Sequence, residues 1–157
     1  MNVVPSHVSP GARLLGDGVI EGLPDAPHLV GSACRACGAV TFPAQGSCNR
    51  CTATDVERRP LATTGTLWGF TVQGFPPKEP YVQARAPFTP FGVGYIDLAG
   101  EVLVEARLVA GDPESLRIGQ PMALVLEPLT VDGTGEVVVT YAFAPVGAAG
   151  PSSEEHA

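Results

Sequence analysis

The sequence predicts an all-β protein in which an N-terminal zinc ribbon is followed by a five-stranded OB-fold barrel. Two observations support this fold class. The chain places all four of its cysteines within residues 34–51, as two Cys-x2-Cys pairs. Segments rich in β-branched and aromatic residues then follow between residues 61 and 144, and only one short helical signal interrupts them.

Composition bounds the kind of protein that the chain can form. A length of 157 residues fits one ordinary domain, or one small domain with an appendage, and 45% hydrophobic residues suffice for a folded core. The net charge of −7 disfavours nucleic acids as partners, because binding polyanions needs many lysines and arginines. No apolar run approaches the roughly 18 residues that span a bilayer, and the N-terminus lacks a secretion signal. We therefore expect a cytoplasmic protein that does not enter a membrane.

The cysteine spacing predicts a structural zinc site whose ligands are Cys34, Cys37, Cys48 and Cys51. Two residues between paired cysteines turn the backbone into a knuckle that points both sulfurs at one centre, and two knuckles supply the four thiolates that zinc favours. Gly38 follows the first knuckle, where a permissive backbone helps the chain to turn under the metal. Two disulfides or redox-active pairs are the alternatives, and the absence of a secretion signal and of a βαβ pattern disfavours both.

The ribbon itself is predicted to contain a short strand at residues 40–42 and a turn at residues 43–46 that leads to the second knuckle. It is also locally basic, because it holds four of the nine lysines and arginines of the chain: Arg35, Arg50, Arg58 and Arg59. These arginines either balance the negative charge of a zinc tetrathiolate or form a patch that faces phosphate groups.

The rest of the chain is organised as five predicted strands, at residues 61–72, 91–98, 101–109, 122–129 and 136–144. Residues 99–100 form a short hairpin connection between the second and third strands. Asp112 and Pro113 begin a short helix between the third and fourth strands. Five curved strands with a helical insert at this point match a small OB-type barrel, and the pattern alone also admits another small barrel.

Three glycines inside the predicted strands, Gly69, Gly92 and Gly94, indicate bulges or sharp curvature. Trp68 and Phe70 alternate with Gly69. This position leaves two interpretations of the aromatic pair, as part of the core or as exposed platforms on which bases could stack.

The predicted organisation is an arm at residues 1–30, the ribbon at 31–60, the barrel at 61–145 and a disordered tail at 146–157. The arm is rich in glycine and proline and cannot form a core alone, so we expect it to be only partly ordered. The segment 74–90, between the first two barrel strands, is long for a hairpin loop and contains five prolines. It is either a functional loop or a stiff surface connection.

No catalytic constellation is visible in the sequence. The three histidines, His7, His28 and His156, lie in the predicted arm and tail, and zinc occupies the thiols. No motif of a serine hydrolase, metalloprotease or phosphate-binding loop occurs. Asp97 is the one carboxylate in an otherwise apolar strand, and a strand-end aspartate is more often a turn residue than a base. The sequence therefore predicts no catalytic residue and no independent enzyme.

Four segments together resemble a family in which a zinc ribbon precedes an OB-fold, long catalogued as a domain of unknown function. The resemblance covers about residues 28–144 and rests on the stretches "HLVGSACRACGAVTFPAQGSCNRC", "LATTGTLWGFTV", "PFGVGYIDL" and "DPESLRIGQPM". The double Cys-x2-Cys is specific for zinc but not for the family. The ribbon followed by the "GTLW" strand and later by "PESLRIG" is considerably more specific.

This resemblance implies an accessory subunit of a thiolase-superfamily enzyme, such as a thiolase of aromatic degradation, an aldolase of steroid side-chain degradation or an acyltransferase. The catalytic residues then belong to the partner, and only the four cysteines transfer to this chain as functional residues. The prediction is a non-catalytic zinc-binding subunit of a hetero-oligomer that helps to shape an acyl-CoA site, with a coenzyme A thioester as a ligand shared with the partner. The alternative is a zinc-ribbon and OB-fold module for single-stranded nucleic acids, which the acidic charge disfavours; a redox switch at the cysteine pairs ranks third.

The loop 74–90 is the predicted docking segment, together with the ribbon and the arm. It holds or adjoins four aromatic residues, Phe75, Tyr81, Phe88 and Phe91. A loop stiffened by proline loses little entropy on docking, and aromatic anchors commonly dominate the energy of an interface. The alternative is that these aromatic side chains fold back onto the barrel.

Overall fold

The computed structural model describes residues 13–14, 16–23, 25–78, 87–110, 112–131 and 137–147. Within these residues the secondary structure is ten strands and one 3-10 turn, at Pro113–Ser115. The strands are β1 (Arg13–Leu14), β2 (Ile20–Glu21), β3 (His28–Cys34), β4 (Val40–Thr41), β5 (Val56–Pro60), β6 (Thr64–Gln73), β7 (Phe91–Leu98), β8 (Val102–Leu108), β9 (Pro121–Val131) and β10 (Val137–Pro145). The all-β prediction is confirmed.

Strands β6 to β10 form a closed barrel. Their sheet has the order β1-β10-β8-β7-β6-β9, and β9 also pairs with β10, which completes the ring. The pairings within the ring are antiparallel except that of β10 with β8, which is parallel. Each of the five predicted barrel strands corresponds to one of these strands, with ends that differ by three residues or fewer.

The hairpin of β7 and β8 shows why these segments become strands. Ile96, Leu98 and Val104 point inward and are at most 1% exposed, while the alternate residues Tyr95 and Leu103 face outward and are each 42% exposed. This alternation matches the two-residue period of a sheet with one buried face. Ala99 and Gly100 have φ angles of 56° and 71°, which suits the tight turn between twisted strands. Asp97 Oδ1 accepts a hydrogen bond of 2.9 Å from the Gly100 N–H, so Asp97 is a turn residue.

The insert between β8 and β9 closes one part of the core. The side chain of Asp112 accepts a 2.9 Å hydrogen bond from the Glu114 N–H, and Pro113 begins the 3-10 turn, as the sequence predicts. The next residue after this turn, Leu116, is 1% exposed and lies in the same hydrophobic cluster as the barrel strands. The insert therefore supplies core volume as well as a connection.

Two of the strand glycines allow close packing, and the third lies at a bulge. A side-chain carbon at Gly94 would lie 2.5 Å from the carbonyl oxygen of Gly69 and 2.9 Å from Cβ of Phe70. A carbon at Gly92 would lie 2.9 Å from Leu116. Gly69 itself has open space around it and follows a register shift between Leu67 and Gly69. The expected bulge is found at Gly69, whereas Gly92 and Gly94 lie in regular register and allow neighbouring atoms to approach closely.

These environments predict different costs for the same substitution at two neighbouring positions. Gly94→Ala should lower the free energy of unfolding by about 1–3 kcal/mol, because the methyl group overlaps the backbone of β6. Gly69→Ala, its matched control, should change it by less than about 0.5 kcal/mol, since the added carbon meets no atom within 4 Å. Guanidinium unfolding of the two variants measures the difference, and equal destabilisation would contradict this packing.

The ribbon is a small sheet centred on β3, which pairs with β2, β4 and β5. Of its strands, only β4 coincides with a sequence prediction. Ile20 and Leu29 of this sheet and Leu61 beyond it belong to the same hydrophobic cluster as Leu67 and Phe143 of the barrel. The ribbon and the barrel are therefore joined by a continuous hydrophobic core.

The predicted arm contains β1, β2 and the start of β3. Its residue Ile20 is only 4% exposed, and β1 pairs with β10 of the barrel. The predicted disorder of the tail concerns residues 146–157, of which 148–157 lie outside the described residues.

Candidate metal centre

Two backbone knuckles with the same hydrogen-bond pattern present the four cysteines. In the first knuckle, the Gly38 N–H donates to the carbonyl oxygen of Cys34 at 2.9 Å. In the second, the Thr52 N–H donates to the carbonyl oxygen of Cys48 at 2.9 Å. The cysteine that opens each knuckle also donates its own N–H five residues ahead, Cys34 to Ala39 at 2.9 Å and Cys48 to Ala53 at 2.8 Å. The shared pattern aims the sulfurs of both knuckles at one point.

The four sulfurs form a compact cluster. The Sγ atoms of Cys34 and Cys51 are 3.6 Å apart, as are those of Cys37 and Cys48, and all four lie within 4.8 Å of one another. A tetrahedral ion with zinc–sulfur bonds of about 2.3 Å holds its sulfurs about 3.8 Å apart. A disulfide needs a separation of about 2.05 Å, and all four cysteines are free. The donor set and its dimensions fit a zinc ion.

The pKa values of the thiols also favour a cation at the centre of the sulfur cluster. Hydrogen bonds from the backbone N–H groups of Cys51 and Arg50 lower the pKa of Cys48 to about 6. For Cys51, the N–H of Ala53 lowers the pKa, but the crowded thiols of Cys37 and Cys34 outweigh it and raise the pKa to about 12. One thiolate thus forms easily, whereas further negative charge beside it is resisted until a divalent ion compensates it.

The residue that follows each knuckle adopts a left-handed conformation. The φ angle is 74° at Gly38 and 65° at Thr52. Glycine adopts this region without cost, whereas a β-branched residue such as threonine does so rarely. The predicted role of Gly38 in turning the chain is consistent with this geometry. No sequence pattern predicts the same left-handed conformation at Thr52.

We expect Gly38→Ala to destabilise the zinc-loaded chain by about 1 kcal/mol, because alanine pays the left-handed penalty that glycine avoids. No atom lies within 4 Å of a carbon added there, so the cost is conformational rather than steric. Gly46→Ala is the matched control, since it also has open space but no left-handed φ. Thermal unfolding with zinc bound compares the two, and an equal loss in both variants would contradict the assignment.

A buried hydroxyl group holds the loop between the knuckles. Ser32 is 2% exposed, its Oγ lies 2.8 Å from Oγ1 of Thr41, and it accepts a 3.0 Å hydrogen bond from the Gln45 N–H. These bonds tie the central strand β3 to β4 and to the loop that leads to Cys48. Sequence reasoning missed Ser32, because a single serine in an apolar strand carries no motif.

Comparison with known proteins identifies both parts of the chain. Residues 23–57 match the family model described as "ChsH2, rubredoxin-like zinc ribbon domain". Residues 58–127 match the one described as "ChsH2, C-terminal OB-fold domain". The chain belongs to the ChsH2 family of zinc-ribbon and OB-fold proteins. These matches confirm the resemblance to the zinc-ribbon and OB-fold family that the sequence indicated. They also confirm the predicted fold class, a zinc ribbon followed by an OB-fold barrel.

Several relatives resemble the chain over most of their length. It is 29% identical over 118 residues to the benzoylsuccinyl-CoA thiolase subunit BbsA of Thauera aromatica, which covers 75% of this chain and 76% of that protein. It is 28% identical over 120 residues to a DUF35 domain-containing scaffold protein of Methanocaldococcus jannaschii, covering 75% and 82%. Among solved structures, a chain of the "Ltp2-ChsH2(DUF35) aldolase" superposes with a TM-score of 0.54 at 25% identity, covering 75% and 84%.

Three of the four ribbon arginines are bound to carboxylates in this family member. Arg35 donates to Glu57 at 2.6 Å, and this contact raises its pKa. Arg58 donates to Glu21 at 2.9 Å. Arg59 pairs with Glu101 in the turn between β7 and β8. These three side chains therefore meet carboxylates of the chain itself, which neither predicted role for them anticipated. Exposed pairs of this kind each contribute little to stability.

Among the described residues, two side-chain contacts join the ribbon to the barrel beside their shared core. The ion pair of Arg59 with Glu101 is one of them. The other is the edge-to-face contact of Phe42 with Tyr141, whose ring centroids are 5.5 Å apart. Both contacts join a ribbon element to a barrel strand or turn, so they fix the orientation of the metal centre relative to the barrel.

The predicted docking loop is described only in part. Tyr81 lies outside the described residues. Phe88 packs edge to face against Phe91 with ring centroids 6.1 Å apart, and the guanidinium of Arg107 lies 4.1 Å from the centroid of the Phe91 ring. These two aromatic side chains thus fold back onto the barrel, whereas Phe75 is 70% exposed.

The structure also places His28 and the aromatic pair Trp68 and Phe70, which the sequence analysis considered. His28 Nδ1 lies 3.0 Å from the carbonyl oxygen of Ala26, so it stabilises a local turn. Trp68 is 59% exposed and therefore lies outside the core, while Phe70 is half-buried against it.

Among the residues that the structure describes, no helix is long and apolar enough to cross a membrane.

Proposed function

We propose that this chain is a non-catalytic, zinc-binding accessory subunit of a thiolase-like enzyme that acts on acyl-CoA substrates. One observation carries the proposal. A four-thiol ribbon is joined through a shared core to an OB-fold barrel, and the chain aligns over 75% of its length with a protein named as a thiolase subunit.

Zinc has a structural role in this proposal. Cys34, Cys37, Cys48 and Cys51 are its ligands, and four thiolates complete a tetrahedral shell without an open position for water or substrate. The ion supplies folding free energy, and the chain's contribution is to hold the ligands with the two knuckles. Reduced thiols of this kind suit the cytoplasm, where the proposal locates the complex.

The non-catalytic role is supported by the ion pairs that several carboxylates form with arginines of the same chain. Among the described residues, Glu57, Glu21 and Glu101 each pair with a ribbon arginine. Glu127 pairs with Arg107 at 3.0 Å, with both side chains largely buried. A nucleophile adjacent to an oriented base, which acyl transfer requires, is not formed by these groups. The reacting groups are assigned to the partner.

The substrate class follows from the names of relatives, one a CoA-thioester thiolase subunit and another a chain solved in an aldolase. Such chemistry makes or breaks a carbon–carbon bond beside a thioester. We assign to this chain the support of the acyl-CoA site at the subunit boundary, with the ribbon at 31–60 and the barrel at 61–145 as its two structural units.

Complex formation tests the proposal directly. The tagged full-length chain is recovered from native cells, its partner is identified by mass spectrometry, and both are then produced recombinantly. We expect a thiolase-fold protein that co-elutes with the chain in size-exclusion chromatography with light scattering at micromolar concentration. Separate elution of the two purified proteins would contradict the proposed function.

A further inference from the structure

Most of the large exposed hydrophobic side chains of the described residues are concentrated on one face of the barrel. Six such side chains are more than 40% exposed, and four of them lie on or beside strands β6, β7 and β8: Trp68 at 59%, Tyr95 at 42%, Leu103 at 42% and Ile118 at 69%. We call these four residues the outer patch.

The outer patch lies where the "GTLW" strand meets the segment that follows the 3-10 turn. Leu67, in the "GTLW" strand, donates its N–H to Gln120 at 3.0 Å and accepts a 2.8 Å hydrogen bond from the Gly119 N–H. Gly119 follows the "PESLRI" stretch. Because these bonds join the neighbours of Trp68 and Ile118, the two exposed side chains lie on adjacent backbone segments. Leu67 and Leu116 are buried in the core. Each of the two stretches therefore contributes one side chain to the core and another, Trp68 or Ile118, to the patch.

The patch is held in a defined conformation before any partner binds. The rings of Trp68 and Tyr95 meet edge to face with centroids 6.3 Å apart. The Tyr95 hydroxyl donates to Glu105 Oε2 at 3.0 Å. Arg117 stiffens the turn below Ile118, since its guanidinium donates to the carbonyl oxygens of Glu114 and Leu116 at 2.8 Å. Aromatic side chains that are already ordered lose little entropy on docking.

The charges around the patch select its occupant. Tyr95 lies directly opposite Glu105, and Leu103 lies opposite Asp97, so two carboxylates interrupt the apolar surface. Carboxylates repel the phosphates of a nucleic acid. A second copy of the chain would also bring like charge, because each chain carries −7. The chemistry suits a folded protein that offers an apolar pocket bordered by lysine or arginine.

We propose that the outer patch is the docking surface for the thiolase-fold partner subunit, with Trp68 and Ile118 as its anchors. This inference rests on the proposed function and adds to it the surface that the partner covers. Trp and Tyr are the residue types that most often carry binding energy at interfaces, and a central apolar cluster beside charged groups is the usual anatomy of such a site.

The test measures the affinity of the full-length chain for the recombinant thiolase-fold partner by isothermal titration calorimetry. Trp68→Ala and Ile118→Ser should each weaken binding by about 10-fold or more. Val146→Ser is the matched control, because Val146 is 55% exposed but lies outside the patch, and it should change binding by less than about 3-fold. Zinc content and the unfolding temperature of each variant should equal those of the unchanged chain.

The outcomes separate this inference from the proposed function. If the unchanged chain binds the partner and both patch variants bind equally well, the patch assignment is overturned and the proposed function stands. If the unchanged chain does not bind the partner, both are overturned. Two further measurements address other occupants. A concentration-dependent dimer in analytical ultracentrifugation, or single-stranded DNA binding in fluorescence anisotropy, that Trp68→Ala abolishes would assign the patch to a second copy or to nucleic acid and overturn the inference.

Discussion

Replacement of Cys48 by alanine is expected to give a chain that binds no zinc, lacks a folded ribbon and accumulates as insoluble protein. A structural zinc site contributes on the order of 10 kcal/mol to folding, which is comparable to the whole stability of a small domain. Cys48 is 4% exposed and its knuckle supports one side of the sulfur cluster. Three remaining thiols leave the tetrahedron open, so the ion is lost and the crowded sulfurs have no compensating charge.

The damage should extend beyond the ribbon. Leu29 and Leu61 share one hydrophobic cluster with Phe143 of the barrel, so unfolding the ribbon exposes one side of that core. Metal analysis by mass spectrometry, circular dichroism and limited proteolysis of the refolded variant measure these effects. Ser47→Ala is the control, since Ser47 is an exposed neighbour of Cys48 and should keep one zinc per chain.

Two results would contradict the zinc assignment. One is a soluble, folded Cys48→Ala variant whose barrel and ribbon resist protease as in the unchanged chain. The other is an unchanged chain that is folded but contains no zinc. Mass spectrometry of the intact chain also distinguishes the disulfide alternative, because two disulfides remove four hydrogens from the four free thiols.

The zinc ligands and the barrel strands could be predicted because their signals are local in the sequence. The two Cys-x2-Cys pairs directly indicate the two knuckles. The alternation of apolar and polar residues in 91–98 and 101–109 predicts strands with one buried and one exposed face. The turn at Ala99–Gly100 and the cap at Asp112 are likewise encoded by adjacent residues. Each of these features needs no knowledge of distant partners.

The ribbon strands β3 and β5 were missed because their stability depends on distant residues. Residues 29–32 of β3 are buried in succession, so the strand shows no alternation. β5 contains Glu57, Arg58 and Arg59, which do not resemble strand residues. Their charges are matched by Arg35, Glu21 and Glu101 from other parts of the chain. No pattern within five residues can reveal such pairings.

The outward position of Trp68 depended on a similar non-local feature. The register between β6 and β7 shifts between Leu67 and Gly69, which breaks the two-residue alternation that the sequence displays. Leu67 is bonded to Gly119 and Gln120, more than fifty residues away, and this contact fixes which side chain turns inward. The sequence alone therefore could not decide whether this tryptophan is buried in the core or exposed on the surface.

The isolated chain is expected to show no turnover of acyl-CoA thioesters, whereas its complex with the proposed thiolase-fold partner should turn them over. Enzymes commonly accelerate reactions by about a millionfold or more, so the difference should span several orders of magnitude. The reason is the lack, among the described residues, of a nucleophile placed beside an oriented base. Coenzyme A release is followed by liquid chromatography, because the four thiols of the chain would react with thiol reagents.

The control removes the most plausible base of the described part of the chain. His28 contacts the carbonyl oxygen of Ala26 at 3.0 Å, so His28→Gln retains a polar side chain at this turn. The complex that carries this variant should keep its kcat within about threefold, since general-base catalysis would cost about a hundredfold or more if lost. A larger fall in kcat with unchanged complex formation, or turnover by the purified chain alone after removal of any copurifying thiolase, would place reacting groups in this chain and refute its accessory role.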